Sequence, residues 1–218
     1  MKSFVYVVMI GFFLAIMSFG DLHAQPSSQA VIDSLQNLLK TTKIEDTTKV
    51  NILNEIAKNY YAINPNNGLL IGRKALALAQ RLNFKSGIAN THNTIGLNHW
   101  YMSNYSAALK NLLYALDIYE ENKDTTGIIK IRGNIGLIYY LAGMTQKGIE
   151  QQLIVKNIDK KYKDTITQIM SLINLGGGYR ELKDYNRSLL YYNEAIALKD
   201  KYNAKEFDYH LLLNRAMT

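Results

Sequence analysis

The chain has 218 residues, of which 48% are hydrophobic and 20% are charged, with two prolines and no cysteine. This composition is typical of a globular protein and excludes a disordered or collagen-like chain. The lack of cysteine also excludes a disulfide framework, a thiolate zinc site and a cysteine nucleophile. The formal net charge is +7, but the basic residues are spread along the chain. They form no stripe of the kind that binds nucleic acid, so we expect no nucleic-acid partner.

The N-terminus has the pattern of a targeting segment. An apolar run from Phe4 to Phe19 follows an early lysine, and it is shorter than the roughly 20 residues that span a bilayer. Ala24 is a small residue at the position where a signal peptidase would cut before Gln25. Residues 1–24 are therefore predicted to be a Sec-type signal peptide. The mature protein is then expected to be secreted or periplasmic, without a membrane association. The alternative is that the segment is retained as an anchor.

The next segment, residues 25–46, is predicted to contain a single capping helix. Its apolar positions fall within residues 29–40, and Leu35 stands forty residues before Ala75. Ala75 stands at a position that recurs every forty residues, in the second helix of each predicted helical hairpin. The segment therefore resembles a second helix without its first. Such a helix would cover the N-terminal end of a repeat array.

A pattern with a period of forty residues organises residues 47–203. It gives four copies, at about 47–84, 85–124, 125–164 and 165–203, the first with one residue fewer in its turn. Small residues recur in three columns: Gly96, Gly136 and Gly176; Ala108, Gly148 and Ser188; Ala75, Ala115, Val155 and Ala195. Because glycine is costly inside a helix, these columns predict that two helices of each copy approach closely, small residue against small residue.

Each copy contains two helical stretches, which we call its first and second helix. In the third copy, Ile131, Ile135 and Ile138 recur at the three- and four-residue spacing of a helix stripe. Turn-forming residues such as Gly143 separate this stripe from the next. The sequence therefore predicts an all-α fold of antiparallel helical hairpins, at about residues 48–82, 87–122, 126–162 and 166–202.

The repeated columns resemble the tetratricopeptide repeat (TPR). The resemblance rests on a hydrophobic residue, a glycine and a tyrosine, as in Leu175, Gly176 and Tyr179, and on a later tyrosine, as in Tyr105 and Tyr185. It implies an α-α superhelix, a TPR solenoid, whose first helices line a concave groove that receives an extended or helical peptide. The period of forty residues exceeds the 34 usual in the family and implies longer helices.

Residues 204–218 are predicted to begin a fifth repeat. Asn214 stands forty residues after Asn174, and Ala216 stands forty residues after Gly176. The sequence therefore predicts that the chain stops inside a first helix, and we expect either a shortened chain or a longer natural protein.

The repeats contain no residue set that indicates catalysis. After removal of the predicted signal peptide the histidines are His92, His99 and His210, and His92 and His99 are about 10 Å apart along one helix. The run Gly176–Gly178 could be a phosphate loop, but no Lys-Ser or Lys-Thr follows it. We predict no catalytic residue, no metal site and no cofactor, so the chain is predicted not to be an enzyme.

Binding is therefore the predicted activity, with another protein or peptide as the partner in the groove. Successive residues of an α-helix are about 100° apart around its axis, so one side of each first helix faces away from the second helix of its hairpin. The predicted groove residues are Asn54, Lys58, Tyr61, Asn93, Leu97, Trp100, Tyr101, Lys130, Asn134, Leu137, Tyr140, Asn174 and Arg180.

Two interpretations stay open for the main groups of these residues. The asparagines could bind a peptide backbone or join adjacent repeats to each other. Trp100, Tyr101 and Tyr140 could form an apolar hot spot or pack between neighbouring hairpins.

Lys58, Lys130 and Arg180 could meet a carboxylate, as in the carboxylate-clamp members of the family. The resemblance to that clamp is partial, because an arginine expected near Asn134 is missing.

Two functional classes follow. The first is a non-catalytic scaffold that is exported from the cytoplasm and binds proteins or peptides. The alternative is the N-terminal extracytoplasmic sensory region of a longer signal-transduction protein, of the histidine kinase or transcriptional regulator type. The combination of a signal peptide with forty-residue repeats resembles the extracytoplasmic TPR regions of bacterial sensor and regulator proteins.

Overall fold

A computed structural model of the chain describes residues 28–41, 45–162 and 164–218. The predicted signal peptide lies outside the described residues. Within them, every regular element is a helix, and no strand occurs. The all-α prediction is confirmed.

Ten α-helices follow one another along the described part of the chain. Their bounds are α1 Ser28–Thr41, α2 Thr47–Asn59, α3 Pro65–Arg81, α4 Lys85–Tyr101, α5 Tyr105–Glu121, α6 Thr125–Leu141, α7 Thr145–Tyr162, α8 Thr165–Glu181, α9 Tyr185–Tyr202 and α10 Asp208–Ala216, with a short 3-10 helix, Lys205–Phe207, before the last. The pairs α2 with α3, α4 with α5, and α8 with α9 pack closely as hairpins. The division of the chain into a cap, four repeats and part of a fifth stays a prediction.

The contacts divide the chain into two compact units. The N-terminal unit runs to Ile138 and contains α1 to α5 and most of α6. The C-terminal unit runs from Tyr139 to Thr218 and contains the end of α6 and α7 to α10.

Side chains cap the starts of six helices in the described part of the chain. The capping residues are Asp46, Asn64, Asn104, Asp124, Asp164 and Asp184, and each accepts a hydrogen bond from a backbone N–H three residues on, at 2.9 to 3.3 Å. A cap of this kind stabilises a helix by about 1 kcal/mol because it satisfies a backbone N–H that has no partner within the helix.

The turns repeat with the same period as the sequence. Left-handed backbone occurs at Ser103, Gly143 (φ +74°) and Lys183 within hairpins, and at Asn83, Lys123 and Asn203 between them. Within each set, the described positions are forty residues apart or a multiple of forty. Glycine adopts a positive φ without steric cost, so Gly143 suits its turn, whereas the other five positions are held by non-glycine residues.

The small-residue columns lie where two helices of a hairpin touch. A β-carbon on Gly68 would lie 2.9 Å from the backbone oxygen of Ala57, and one on Gly96 would lie 3.3 Å from that of Ala108. In the last hairpin, the Ser188 hydroxyl donates to the Gly176 backbone oxygen at 2.8 Å. The prediction of small residues facing each other is confirmed in these three hairpins.

The three successive glycines of α8 are interior helix positions, so they form no phosphate loop. A β-carbon on Gly176 would lie 2.6 Å from the ring of Tyr192, and one on Gly178 would lie 2.9 Å from the ring of Tyr140. Two aromatic rings of the C-terminal unit thus pack directly on the backbone of α8. Gly177 lies between these contacts, and a β-carbon there would meet only the Tyr192 hydroxyl oxygen, at 3.6 Å.

Candidate functional site

Two asparagines connect the first helices of the N-terminal unit. The Asn98 amide on α4 donates to the backbone oxygen of Ala57 on α2 at 3.1 Å. The Asn134 amide on α6 donates to the Asn93 side-chain oxygen on α4 at 3.0 Å. Helices α2, α4 and α6 therefore lie side by side, which brings together most of the predicted groove residues.

We call the following set the first-helix face; its members lie on or directly after these three helices, and none is fully buried. It consists of Asn54, Lys58, Tyr61, Leu97, Trp100, Tyr101, Lys130, Asn134 and Leu137. Lys58, Tyr101 and Lys130 are exposed, and the other six are half-buried.

The lysines form one part of the first-helix face. The Lys58 ammonium lies 3.0 Å from a carboxylate oxygen of Glu55. Desolvation and the nearby Lys58 lower the pKa of Lys130, while Glu55 acts in the opposite direction. Two cationic side chains thus share one acidic neighbour, and this arrangement favours an additional anion. Beside them, the side-chain oxygen of Asn54 is buried and has no hydrogen-bond partner among the described residues.

The aromatic residues form another part of the face. The rings of Tyr61 and Tyr101 pack edge to face, with centroids 5.6 Å apart and planes at 79°. Burial, and to a lesser extent Tyr101, raises the pKa of Tyr61, so its phenol remains protonated at neutral pH. Tyr101 keeps 49% of its surface exposed. Together with the half-buried Trp100, this pair offers apolar surface to a ligand.

Asn93 was predicted to line the groove, but its side chain is only 4% exposed. Its oxygen accepts the hydrogen bond from Asn134. Of the two interpretations of the asparagines, the bond between adjacent repeats is therefore the one observed for this pair.

Three predicted groove residues lie in the C-terminal unit. Tyr140 is 5% exposed and packs in a core cluster with Ile149, Leu175 and Tyr179. Burial raises its pKa strongly. Tyr140 is thus a core residue in this unit, and we do not include it in the candidate site.

Asn174 and Arg180, the other two predicted groove residues of this unit, are more accessible than Tyr140. The Arg180 guanidinium donates to the Asn214 side-chain oxygen at 3.2 Å, and Asn174 is half-buried. The Arg180–Asn214 bond joins α8 to α10 within the unit. Their assignment to a groove stays a prediction.

Glu55 and Asn98 were missed as contributors to this region. Glu55 could have been found from its spacing, since residues three apart on a helix are neighbours and Lys58 follows it by three. The role of Asn98 depends on the backbone oxygen of another repeat, and no local pattern indicates such a partner.

His99 lies near the end of α4, at the edge of the core. It is half-buried, and its Nδ1 atom is buried without a hydrogen-bond partner among the described residues. Burial and, secondarily, the charge of Arg73 lower its pKa.

This environment predicts a pH dependence of stability. The folded protein binds the His99 proton more weakly than the unfolded chain, so its contribution to stability is present above the ordinary histidine pKa of about 6.5 and is lost as the pH falls. Urea unfolding followed by circular dichroism at about pH 5 and about pH 7.5 should therefore show a smaller pH dependence for His99→Gln than for the parent. Arg73→Gln should have an effect of the same sign but smaller. An unchanged pH dependence in His99→Gln would contradict this assignment.

Neither a metal centre nor a membrane span was found in the described part of the chain. It contains no group of three or more His, Cys, Asp or Glu side chains that could hold a metal ion. No helix in it is long and apolar enough to cross a membrane.

Comparison with known proteins identifies the fold. The chain matches no protein-family model and no curated protein. Solved structures do match. The apo form of RapI is 19% identical with a TM-score of 0.75, over 95% of this chain and 74% of that chain. A Rap protein in complex with competence and sporulation factor is 18% identical with a TM-score of 0.75, over 86% of this chain and 53% of that chain.

A third match is a signal transduction ATPase with a tetratricopeptide repeat sensor, PH0952 from Pyrococcus horikoshii. It is 20% identical with a TM-score of 0.75, over 86% of this chain and 30% of that chain. All three identities are low, so these similarities concern the fold. The chain has the fold of a TPR-like helical repeat protein, as the sequence resemblance implied.

Proposed function

We propose that this chain is a non-catalytic binding module that holds a peptide, or a segment of another protein, on the first-helix face. The observation that carries the proposal is the grouping of partly exposed lysines and aromatic rings on three adjacent helices. One structure with the same fold is a Rap protein that is complexed with competence and sporulation factor, which supports a binding function.

The chemistry of the face defines the kind of ligand that would suit it. Lys58 and Lys130 both lie near Glu55, and their two positive charges favour a carboxylate. Tyr101 and Trp100 favour an apolar or aromatic side chain. We therefore expect a segment that combines an acidic group with an apolar side chain.

A peptide library selection tests this expectation. Binders of the parent protein should be enriched in acidic residues next to apolar ones. Lys58→Gln/Lys130→Gln should weaken their binding at least about tenfold, because charge-assisted hydrogen bonds to a carboxylate are lost. Trp100 is the only tryptophan, so its fluorescence provides a direct titration signal from the same face.

A matched control separates a local contact from the general positive charge. Lys74 and Lys110 are exposed lysines on the second helices α3 and α5. Lys74→Gln/Lys110→Gln removes the same charge and should change the affinity less than about twofold. Equal weakening by both double variants would contradict a site at Lys58 and Lys130. The proposal would also be contradicted if the selection returned neutral peptides and neither double variant changed their affinity.

We also propose that the protein is exported by residues 1–24. The apolar run from Phe4 to Phe19 and the small residue Ala24 support this. Expression in a bacterium, followed by fractionation and mass spectrometry, should find a mature N-terminus at Gln25 outside the cytoplasm. A full-length chain that stays in the cytoplasm would contradict the proposal.

The second candidate function is the sensory region of a longer signalling protein. It is supported by the fold similarity to PH0952, in which the tetratricopeptide repeats are described as the sensor of a signal transduction ATPase. Sequencing the natural transcript beyond codon 218 tests it. A following transmembrane segment and output domain are expected under this alternative, and an immediate stop codon would contradict it.

A further inference from the structure

A pocket of about 270 Å³ lies within the C-terminal unit, between α7, α8 and α9. Its lining combines apolar and charged side chains, contributed by Lys156 on α7, Leu172 on α8, and Glu194, Ala197, Leu198 and Lys201 on α9. Leu172 is 3% exposed and forms the buried part of this lining. The pocket shares no residue with the first-helix face, and none of these residues belongs to α10. We call it the α7–α9 pocket.

Lys156 is held in place at the rim of the pocket. Its ammonium donates to the Glu194 carboxylate at 2.7 Å and lies 4.8 Å from the centroid of the Tyr191 ring. That ring in turn stacks on the ring of Tyr179, with centroids 5.4 Å apart and planes at 8°. These contacts join α7 to α9 and order a long side chain before any ligand binds. The entropy that a ligand would otherwise lose by ordering Lys156 is therefore small.

The charges around the pocket favour an anion. Lys201 is exposed, and its ammonium lies 5.3 Å from the centroid of the neighbouring Tyr202 ring. Among the described residues, no acidic side chain forms an ion pair with it. Lys156 and Glu194 neutralise each other, so the charged residues of the pocket have one positive charge in excess. A ligand with a single negative charge matches this excess.

The corresponding positions in the N-terminal unit carry aromatic rings. Leu172 and Glu194 stand eighty residues, or two periods, after His92 and Tyr114. The His92 and Tyr114 rings stack with centroids 5.4 Å apart and planes at 30°. Two rings therefore pack against each other at the positions where the α7–α9 pocket has a leucine and a glutamate. Because neither of these side chains carries a ring, space remains between the helices for a ligand.

We propose that the α7–α9 pocket binds a small monocarboxylic acid with an apolar body. A cavity of about 150 Å³ holds one benzene molecule, so a pocket of about 270 Å³ suits a ligand of about ten non-hydrogen atoms. The apolar body contacts Leu172, Ala197 and Leu198, and the carboxylate lies at the rim beside Lys156 and Lys201. An apolar lining with a few polar groups is typical of small-molecule sites.

Calorimetric titration of the purified protein with octanoate, a monocarboxylate of this size, tests the proposal. We expect a dissociation constant of about 1 mM or tighter. Octylammonium has the same chain and the opposite charge, and it should bind at least about tenfold more weakly. Acetate lacks the apolar chain and should not bind measurably. The proposal would be overturned if octanoate did not bind at concentrations up to about 10 mM, or if octylammonium bound as tightly as octanoate.

A substitution that fills the pocket tests where octanoate binds. Ala197 is exposed, so the ring of Ala197→Phe would enter the space of the ligand without disturbing the core. This variant should weaken octanoate binding at least about tenfold. Ala77 on α3 is also exposed and stands three periods earlier, so Ala77→Phe is the matched control and should bind octanoate like the parent. Equal affinities of the two variants would place the ligand outside the pocket and overturn the proposal.

Removal of a charge at the rim tests the place of the carboxylate. Lys201→Gln should weaken octanoate binding at least about fivefold, because a charge-assisted contact is lost. Lys110 on α5 is an exposed lysine outside the pocket, so Lys110→Gln should change the affinity less than about twofold. Circular dichroism checks that each variant is folded. If Lys201→Gln keeps the affinity of the parent, or if both substitutions weaken binding equally, the carboxylate does not lie at this rim and the proposal is overturned.

Discussion

Replacing Gly176 with alanine is expected to lower the free energy of unfolding by about 1 to 2 kcal/mol, although alanine is the better helix former. The new β-carbon would lie 2.6 Å from a ring carbon of Tyr192. That ring is 0% exposed and packs with Ile169, Leu172 and Ala195, so it cannot move without displacing its neighbours. The cost of overpacking, typically about 1 to 3 kcal/mol, therefore exceeds the gain in helix propensity of up to about 1 kcal/mol.

Gly177 provides a matched control one residue away on the same helix. A β-carbon there would lie 3.6 Å from the Tyr192 hydroxyl oxygen, which is an ordinary van der Waals distance. Gly177→Ala should therefore stabilise the protein by up to about 1 kcal/mol. Thermal unfolding followed by circular dichroism compares the two variants with the parent. If both variants shift the midpoint in the same direction, the close packing of Tyr192 on α8 is not the dominant effect.

The fold could be predicted because its repeating features are local in sequence. The turn positions Ser103, Gly143 and Lys183 adopt the same left-handed backbone, and the helix caps at Asn104 and Asp184 lie beside the first and last of them. Small-residue columns then determine where two helices of a hairpin can approach. Periodicity, capping and side-chain size are all visible in a single sequence.

The candidate site could be predicted only in part, because burial depends on the neighbouring repeat. Helical geometry selected Lys58, Tyr101 and Lys130, and all three are exposed. The same geometry also selected Asn93 and Tyr140, which are 4% and 5% exposed. An angle around a helix axis defines the side on which a residue lies. It does not define how closely the next helix covers that side.

The glycine run of α8 shows a further limit of sequence reasoning. Gly176 and Gly178 contact Tyr192 and Tyr140, while Gly177 has more space around it. Both rings are larger than the small residues that the repeat columns place opposite glycine. The sequence indicated that a close contact exists, but the identity of the contacting side chain follows only from the packing.

Replacing Trp100 and Tyr101 together with alanine is expected to weaken ligand binding by more than about 1 kcal/mol while the protein remains helical. Tyr101 is 49% exposed, so about half of its surface is open for a ligand to bury. Its edge-to-face contact with Tyr61 contributes only about 0.5 to 1.5 kcal/mol to stability. The affinity for a selected peptide can be measured by fluorescence anisotropy with a label on the peptide, since the variant lacks tryptophan.

Tyr185 and Tyr202 on α9 provide the control for this experiment. They are 48% and 54% exposed, so Tyr185→Ala/Tyr202→Ala also removes two exposed aromatic rings, but it leaves the first-helix face intact. The control should bind the peptide as tightly as the parent, because its substitutions lie outside the proposed site. Unfolding of Trp100→Ala/Tyr101→Ala would assign both rings to packing between hairpins. If the double variant stays folded and keeps the affinity of the parent, these rings do not contact the ligand, and the binding surface has to be sought among other exposed residues.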